Sequence, residues 1–301
     1  SLAEALSYTK GGLWPIAGNP TPIGLFGGGT NYSSGAVNVI DFVTILSTGN
    51  ATDFGNLLAA RSSLAAYASS TTGVFAGGNG ESNIIQFVTI ASAGNATDFG
   101  DLTLGRGGLA GCSSSTRGLT GGGDGGNPTS NVIDFVTIAS AGNATDFGNL
   151  TVAREGLRSC SSPTRGVWLG GGSNVIDFVT IASAGNATDF GNMQSTGAAG
   201  SACSSSTRGV SSEGGTTNTL SFITIASAGN ASDFGDLLAA TNSPMACSNT
   251  TRGLFAGGEV SSASNVIAFV TIASAGNATD FGDLSAARGT GAGCSNSHGG
   301  L

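Results

Sequence analysis

The stretch NVIDFVTIASAGNATDFGNLTVAR, Asn131 to Arg154, returns in recognisable form five more times, and this recurrence restricts the fold more than any other feature of the chain. Anchored on the phenylalanine of FVTI and its variants, the copies fall at Phe42, Phe87, Phe135, Phe178, Phe222 and Phe269, spaced by 45, 48, 43, 44 and 47 residues. Units of that length bury their apolar surface against their neighbours and share one continuous core. A chain of 301 residues therefore need not divide into two independent domains.

Each unit carries its own punctuation. In the third, LAGCSSS (109–115) reads as a short strand of small residues that ends in the turn STRG. GLTGGG (118–123) is a second strand stopped by glycines, NVIDFVTIAS (131–140) a third rich in β-branched and aromatic residues, and TDFGNLTVA (145–153) a fourth reached through the turn AGNA. Along the third strand Ile133 and Phe135 share one face, while Val132, Val136 and Ile138 belong to the other or flank it, so the sheet needs cover on both sides. No segment between the strands shows the helical i, i+3, i+4, i+7 pattern, and sheets arranged radially cover one another instead. The first complete unit lacks its small strand, since GLFGGG (24–29) follows a Pro-containing lead-in; GAGCSNSHGG (291–300) is a small strand with nothing after it. The expected fold is all-β: a six-bladed β-propeller of four-stranded antiparallel blades over residues 23–301, its ring closed by the C-terminal strand joining the N-terminal blade. Residues 1–22, with Trp14 and the single lysine, Lys10, form an extension outside the repeat and a candidate attachment segment.

Composition excludes several functions. Glycine supplies 52 residues and charged residues only 9% of the chain, against roughly 25% in ordinary domains. With a net charge of −8 and ten scattered basic residues, the chain is no candidate for neutralising nucleic-acid phosphates. No apolar run approaches the roughly 18 residues of a membrane span, and SLAEALSYTKGG lacks the pattern of a signal peptide, so neither membrane insertion nor a targeting address is expected.

Small strand, hairpin turn, a strand ending in a glycine pair (Gly77 and Gly78, Gly122 and Gly123, Gly171 and Gly172, Gly257 and Gly258) and an aromatic-bearing third strand: over about residues 24–301 this order resembles the kelch repeat. Phenylalanines such as Phe135 and Phe147 stand where kelch units usually carry Tyr and Trp. The wording NVIDFVTIASAGNATDFGDLT with STRG and GG is also similar to repeat-bearing virion structural proteins of marine tailed bacteriophages, often placed in tails or fibres. That resemblance implies residence in a virion, with other virion proteins or a host surface receptor or glycan as partners.

The six copies differ in an organised way. AGNA and DFG barely change, whereas the segment after the glycine pair reads TNYSSGAV, NGES, DGGNPTS, a lone Ser173, TT and EVSSAS, and the segment entering the small strand varies too. In a blade of four antiparallel strands these two variable connections lie at one end of the ring and the two constant turns at the other. Loops gathered on one face of a repeat scaffold are the usual place for recognition, although loops also drift where nothing constrains them. The candidate binding residues on the variable end are Asn31, Tyr32, Asn79, Glu81, Asp124, Asn127 and Glu259.

Chemical motifs reduce to structure. DFG, six times over, lacks the catalytic loop and strand lysine of a kinase, and reads as an interblade phenylalanine with a glycine bulge. The glycine runs lack the Lys and Ser/Thr of a phosphate loop. NAT or NAS at Asn50, Asn95, Asn143, Asn186, Asn230 and Asn277 fits a glycosylation acceptor, but Gly-Asn also suits a hairpin turn. Cys112, Cys160, Cys203, Cys247 and Cys294, with Tyr67 in the sixth equivalent place, read as buried filler on separate blades, with neither disulfides nor a metal site expected. His298, the sole histidine, falls where other units carry the turn arginines Arg117, Arg165, Arg208 and Arg252, without an evident nucleophile. Those arginines suit backbone carbonyls or acidic groups of a neighbouring blade, or alternatively an anionic group on a partner.

Three functions fit to different degrees. A virion structural or adhesion module presenting its variable loops comes first. A free lectin-like glycan binder would place aromatic platforms at several loop tips, where only Tyr32 stands, and a propeller hydrolase or oxidase would need titratable groups or metal ligands at the axis. A non-enzymatic protein without cofactor or metal is expected.

Overall fold

A computed structural model describes residues 21–31, 34–126, 129–259 and 262–301. Among these, every regular element is a strand, and the strands form six four-stranded antiparallel sheets plus a short hairpin, Thr30–Asn31 with Gly35–Ala36. Blade 3 is typical: Ala110–Ser113, Arg117–Gly121, Val132–Thr137 and Thr145–Asn149 lie side by side in chain order. The innermost strands are Ala292–Ser295 in blade 1, Ala65–Ala68 in blade 2, Ala110–Ser113 in blade 3, Arg158–Ser161 in blade 4, Ala202–Ser204 in blade 5 and Met245–Ser248 in blade 6. These six touch one another in a closed circle. The fold is thus the six-bladed β-propeller expected from the repeat. Its seam is also as expected: Ala292–Ser295 pairs antiparallel with Ile23–Gly27, setting Leu25 opposite Cys294 and Gly27 opposite Ala292.

Strands are shorter than the sequence pattern suggests, for a reason common to all blades. In blade 3 the third strand stops at Thr137, because Ile138 N–H turns to Thr116 O in the neighbouring hairpin and Ser140 N–H closes a turn on Thr137 O. The outer strand stops at Asn149, because Leu150 and Arg154 donate instead to Asn131 and Ser130 in the loop before the third strand. The connector to the next blade is thereby sewn to the variable loop.

The core is divided into six interblade layers. Ile133 and Phe135 pack with Trp168, Val179 and Ile181 of blade 4, while Val136 and Ile138 pack with Tyr67, Val74 and Phe99 of blade 2, the two-faced burial anticipated for this strand. Each blade holds an edge-to-face phenylalanine pair, such as Phe135 with Phe147 at 5.9 Å, an arrangement favoured by the ring quadrupoles. The second phenylalanine belongs to DFG, which is a bulge: pairing shifts by one residue between Ile133 and Asp134. The following glycine has φ between 139° and 149° in all six copies, and a Cβ there would collide with the carbonyl of the next blade's AGNA glycine.

Candidate functional site

The constant end of the ring is occupied by its own joints. In each AGNA turn the backbone pairs with the outer strand of the preceding blade: Gly94 donates to Phe54 O and Ala96 to Asn56 O, and the last joint runs from Gly49 and Ala51 to Phe281 and Asp283. The asparagine side chain completes the joint, as Asn95 Oδ1 accepts Asn56 N–H at 3.0 Å and Asn50 Oδ1 accepts Asp283 N–H at 3.1 Å. The repeated NAT is therefore a turn that locks neighbouring blades. The turn arginines behave alike. Arg117 stacks 4.9 Å over Phe135 and donates to Ala182 O at 2.9 Å, and Arg252 stacks over Phe269 and reaches Leu46 O across the seam. Of the expected partners, the carbonyls are the ones engaged.

The axis is narrow. The cysteines are free and buried, and each sulfur faces a glycine on the second strand of the next blade: Cys112 on Gly166, Cys160 on Gly209, Cys203 on Gly253, Cys247 on Gly24 and Cys294 on Gly73. Tyr67 lays its ring on Gly118 in the same way. Burial pushes the Cys160 and Cys294 thiols up to about 12, leaving them protonated and unreactive at neutral pH. Among the described residues no cluster of three or more His, Cys, Asp or Glu is placed to hold a metal ion.

Beside the thiols runs a one-way ladder of serines. Ser113 Oγ donates to Ala68 O at 2.8 Å, Ser161 to Ser113 O at 2.9 Å, Ser204 to Ser161 O at 2.8 Å, Ser248 to Ser204 O at 2.8 Å, and Ser295 to Ser248 O. Blade 2, with Ala68, has no hydroxyl to complete the circle. At that gap sits His298, which is not in a hairpin turn as its spacing suggested but folded over the axis by the chain that follows Ser295. Its Nδ1 accepts Gly300 N–H at 3.0 Å, so Nε2 carries the proton and donates to Ala68 O at 2.9 Å. Ser113 Oγ stands 3.2 Å from the same nitrogen, but both groups donate to one carbonyl, and Nε2 has no lone pair for general-base work. Burial lowers the His298 pKa below its ordinary value. Gly299 N–H, donating to Ser204 O at 3.0 Å, anchors the cap on the far side of the ring. The axis is thus capped at the constant end, with a cavity of about 50 Å³ beneath His298.

At the variable end, three of the residues singled out from the sequence converge. Asn79, Glu81 and Asp124, from blades 2 and 3, line a depression of about 290 Å³ together with Glu155, and no basic residue lines it. Asn79 is held by Nδ2 donating to Ser62 Oγ at 2.8 Å, and Asp124 Oδ1 accepts Gly126 N–H at 3.0 Å. The loops are pinned to the connectors: Asp124 bridges to Gly107, Glu259 to Asn242, and Thr30, beside Asn31, to Gly289. Asn31 and Glu259 lie on blades 1 and 6, outside the depression. Tyr32 and Asn127 fall outside the described residues, as does residue 1–20 of the candidate attachment segment.

A second set of arginines, in the connectors, is not among the residues that the repeat singles out. Arg106 is fully buried, with Nη2 2.6 Å from Asp134 Oδ2 and Nη1 donating to Gly122 O and Val132 O. Arg154 pairs with Asp177 at 2.6 Å and Arg288 with Asp41 at 2.8 Å in the same slots of blades 4 and 1. Burial raises the Asp177 pKa, opposed by the Thr151 hydroxyl and the Arg154 charge. In blade 2 the equivalent positions hold Arg61 and Gln86, whose Oε1 accepts Leu58 N–H at 2.7 Å, and in blade 5 Arg158 reaches across from blade 4 to Gly197 O and, at 3.7 Å, Glu213. A signal was present: where the connector has Arg, the residue before the strand-three phenylalanine is Asp or Gln, and where it has Thr241, that residue is Ala268.

The chain matches no model of a known protein family, and no curated protein matches it. Among the described residues no helix is long and apolar enough to cross a membrane.

Proposed function

We propose that this chain is a non-enzymatic virion structural or adhesion module whose rigid ring presents its variable end to a host surface receptor or a neighbouring virion subunit. The observation that carries this reading is the inequality of the two ends. The constant end has its asparagines, turn arginines and axis engaged in joints between blades. The variable end carries Leu58, Leu104, Val152, Leu238 and Val266, five of the six large apolar side chains exposed among the described residues, distributed over several blades, and it also carries the acidic depression of Glu81, Asp124 and Glu155. Apolar side chains spread around a polar, negatively charged rim suit a protein surface with apolar anchors and basic charge. The virion part of the reading, and kelch-like kinship, rest on the wording of the repeat rather than on geometry.

The test is to locate the ring in purified particles by electron cryomicroscopy and, in parallel, to measure binding of the isolated ring to host cells before and after exchanging loop 79–83 for the shorter loop of blade 5. Density on a tail or capsid, with cell or subunit binding lost on loop exchange, is the expected result. Absence from particles combined with retention on a glycan column would replace it with a free glycan-binding protein.

A further inference from the structure

The connector slot that holds Arg106, Arg154 and Arg288 in three blades stands open in blade 6. The arginine position is Thr241 and the aspartate position Ala268, and a cavity of about 320 Å³ lies where the side chains would be. The correspondence is residue by residue. Arg106 is held by Gly122 O, Val132 O and Asp134; the blade 6 counterparts are Gly257, Val266 and Ala268, and all three line the cavity. Its walls are apolar, with Leu237 and Phe255, and its mouth carries the exposed carboxylate of Asp280, the pairing partner of Ala268 in the neighbouring strand. Val266 is exposed, whereas the residue at this place is half-buried in each of the other five blades.

Space of this size falls at the lower edge of small-molecule pockets, and its polar features select among occupants. Two carbonyl oxygens that receive a guanidinium in blade 3 have no arginine on them here, and the titratable group at the rim is an acid. An anion would face the Asp280 carboxylate and both carbonyls with only the Thr241 and Ser264 hydroxyls as lining side-chain donors, and a neutral alcohol brings one proton for two carbonyls. We infer that blade 6 carries a binding site for a small organic cation of the alkylguanidinium class, its chain lying between Leu237 and Phe255 and its planar head donating to Gly257 O and Val266 O with Asp280 at the mouth. The ligand occupies the place that an arginine side chain fills in the sister blades. The site shares Leu238 and Val266 with the variable end proposed above as a contact surface, but binding of a small cation by the isolated chain is read without any receptor or virion partner.

The test uses n-butylguanidinium as probe on the full chain, with n-butanol and butyrate as neutral and anionic comparators, followed by methyl NMR of Ala268, Val266 and Leu237. Saturable shifts with the cation, at least about tenfold weaker with either comparator, are expected from charge-assisted bonding at a part-enclosed site. Thr241→Arg with Ala268→Asp fills the slot from within and abolishes the shifts. Ala268→Leu does the same without introducing charge, and serves if the charged pair disturbs folding. Asp280→Asn weakens the probe by a few-fold, the modest effect of an exposed charge. Equal binding of butanol overturns the cation assignment; binding that survives Ala268→Leu, or no saturable shift in the native chain, overturns the site.

Discussion

At the scale of single residues, the joint between blades is a sulfur seated on a glycine. A Cβ placed on Gly209 would stand 2.5 Å from Cys160 Sγ, closer than van der Waals contact allows. Gly209→Ala should therefore cost about 1–3 kcal/mol, the usual penalty for overfilling a packed interior, and Cys160→Gly in the same chain should recover a good part of it. Urea unfolding of the two single variants and the double variant measures the coupling, and simple additivity would disprove the contact. His298 has a consequence for pH. Its folded pKa lies below the ordinary value of about 6.5, so its contribution is fully present above that value and is lost as pH falls toward the lowered one. Unfolding midpoints from about pH 8 to about pH 5 should decline more steeply in the native protein than in His298→Gln, which keeps a donor for Ala68 O but does not titrate. Glycine at six equivalent places is visible in the sequence; its cause is not, because the sulfur, or in one joint the Tyr67 ring, comes from the preceding blade, about 50 residues upstream or, for Gly24 and Gly73, near the other end of the chain.

At the scale of elements, the connector between blades is fixed by a buried ion pair. Arg154 and Asp177 are both nearly inaccessible, so removing either alone leaves an uncompensated buried charge. Asp177→Asn or Arg154→Leu should cost about 3–5 kcal/mol in urea unfolding. The double change Arg154→Thr with Asp177→Ala should cost less than the sum of Arg154→Thr and Asp177→Ala alone, and should open in blade 4 a cavity like that of blade 6, visible as new saturable binding of n-butylguanidinium. Strands, bulges and the two unlike ends could be read from periodicity and from the differences between copies, since each depends on the local order of residues. The slot could not. It unites a connector arginine, two carbonyls and an aspartate some 25 residues later; the paired substitution of Thr241 and Ala268 stands in the sequence, but only the folded blade shows that the two positions face one slot with two carbonyls in it. Among the candidate binding residues, Asn79, Glu81 and Asp124 meet because blades 2 and 3 are neighbours, whereas Asn31 and Glu259 sit on other blades.

At the scale of the whole molecule, stability depends on closure. Ala292–Ser295 is the innermost strand of blade 1, and the residues after it cap the axis. Ending the chain at Gly291 should expose the edge of Ile23–Gly27 and the core faces of Leu25 and Phe26, giving aggregation or pairing between molecules. Light scattering and size-exclusion chromatography would detect it. A synthetic peptide of residues 289–301 added during refolding should restore the monomeric ring, and failure of both effects would show that the ring does not rely on this seam.

The sulfur-on-glycine contact also bears on how such a molecule can change over generations. Because five of the six joints offer the same plug to the same socket, exchange of genetic material between copies can delete, add or shuffle a unit and still yield mating surfaces that fit. The sixth, where Tyr67 lies on Gly118, takes a larger plug: a cysteine-bearing unit moved into the second place would leave a hole there that the third wedge must close.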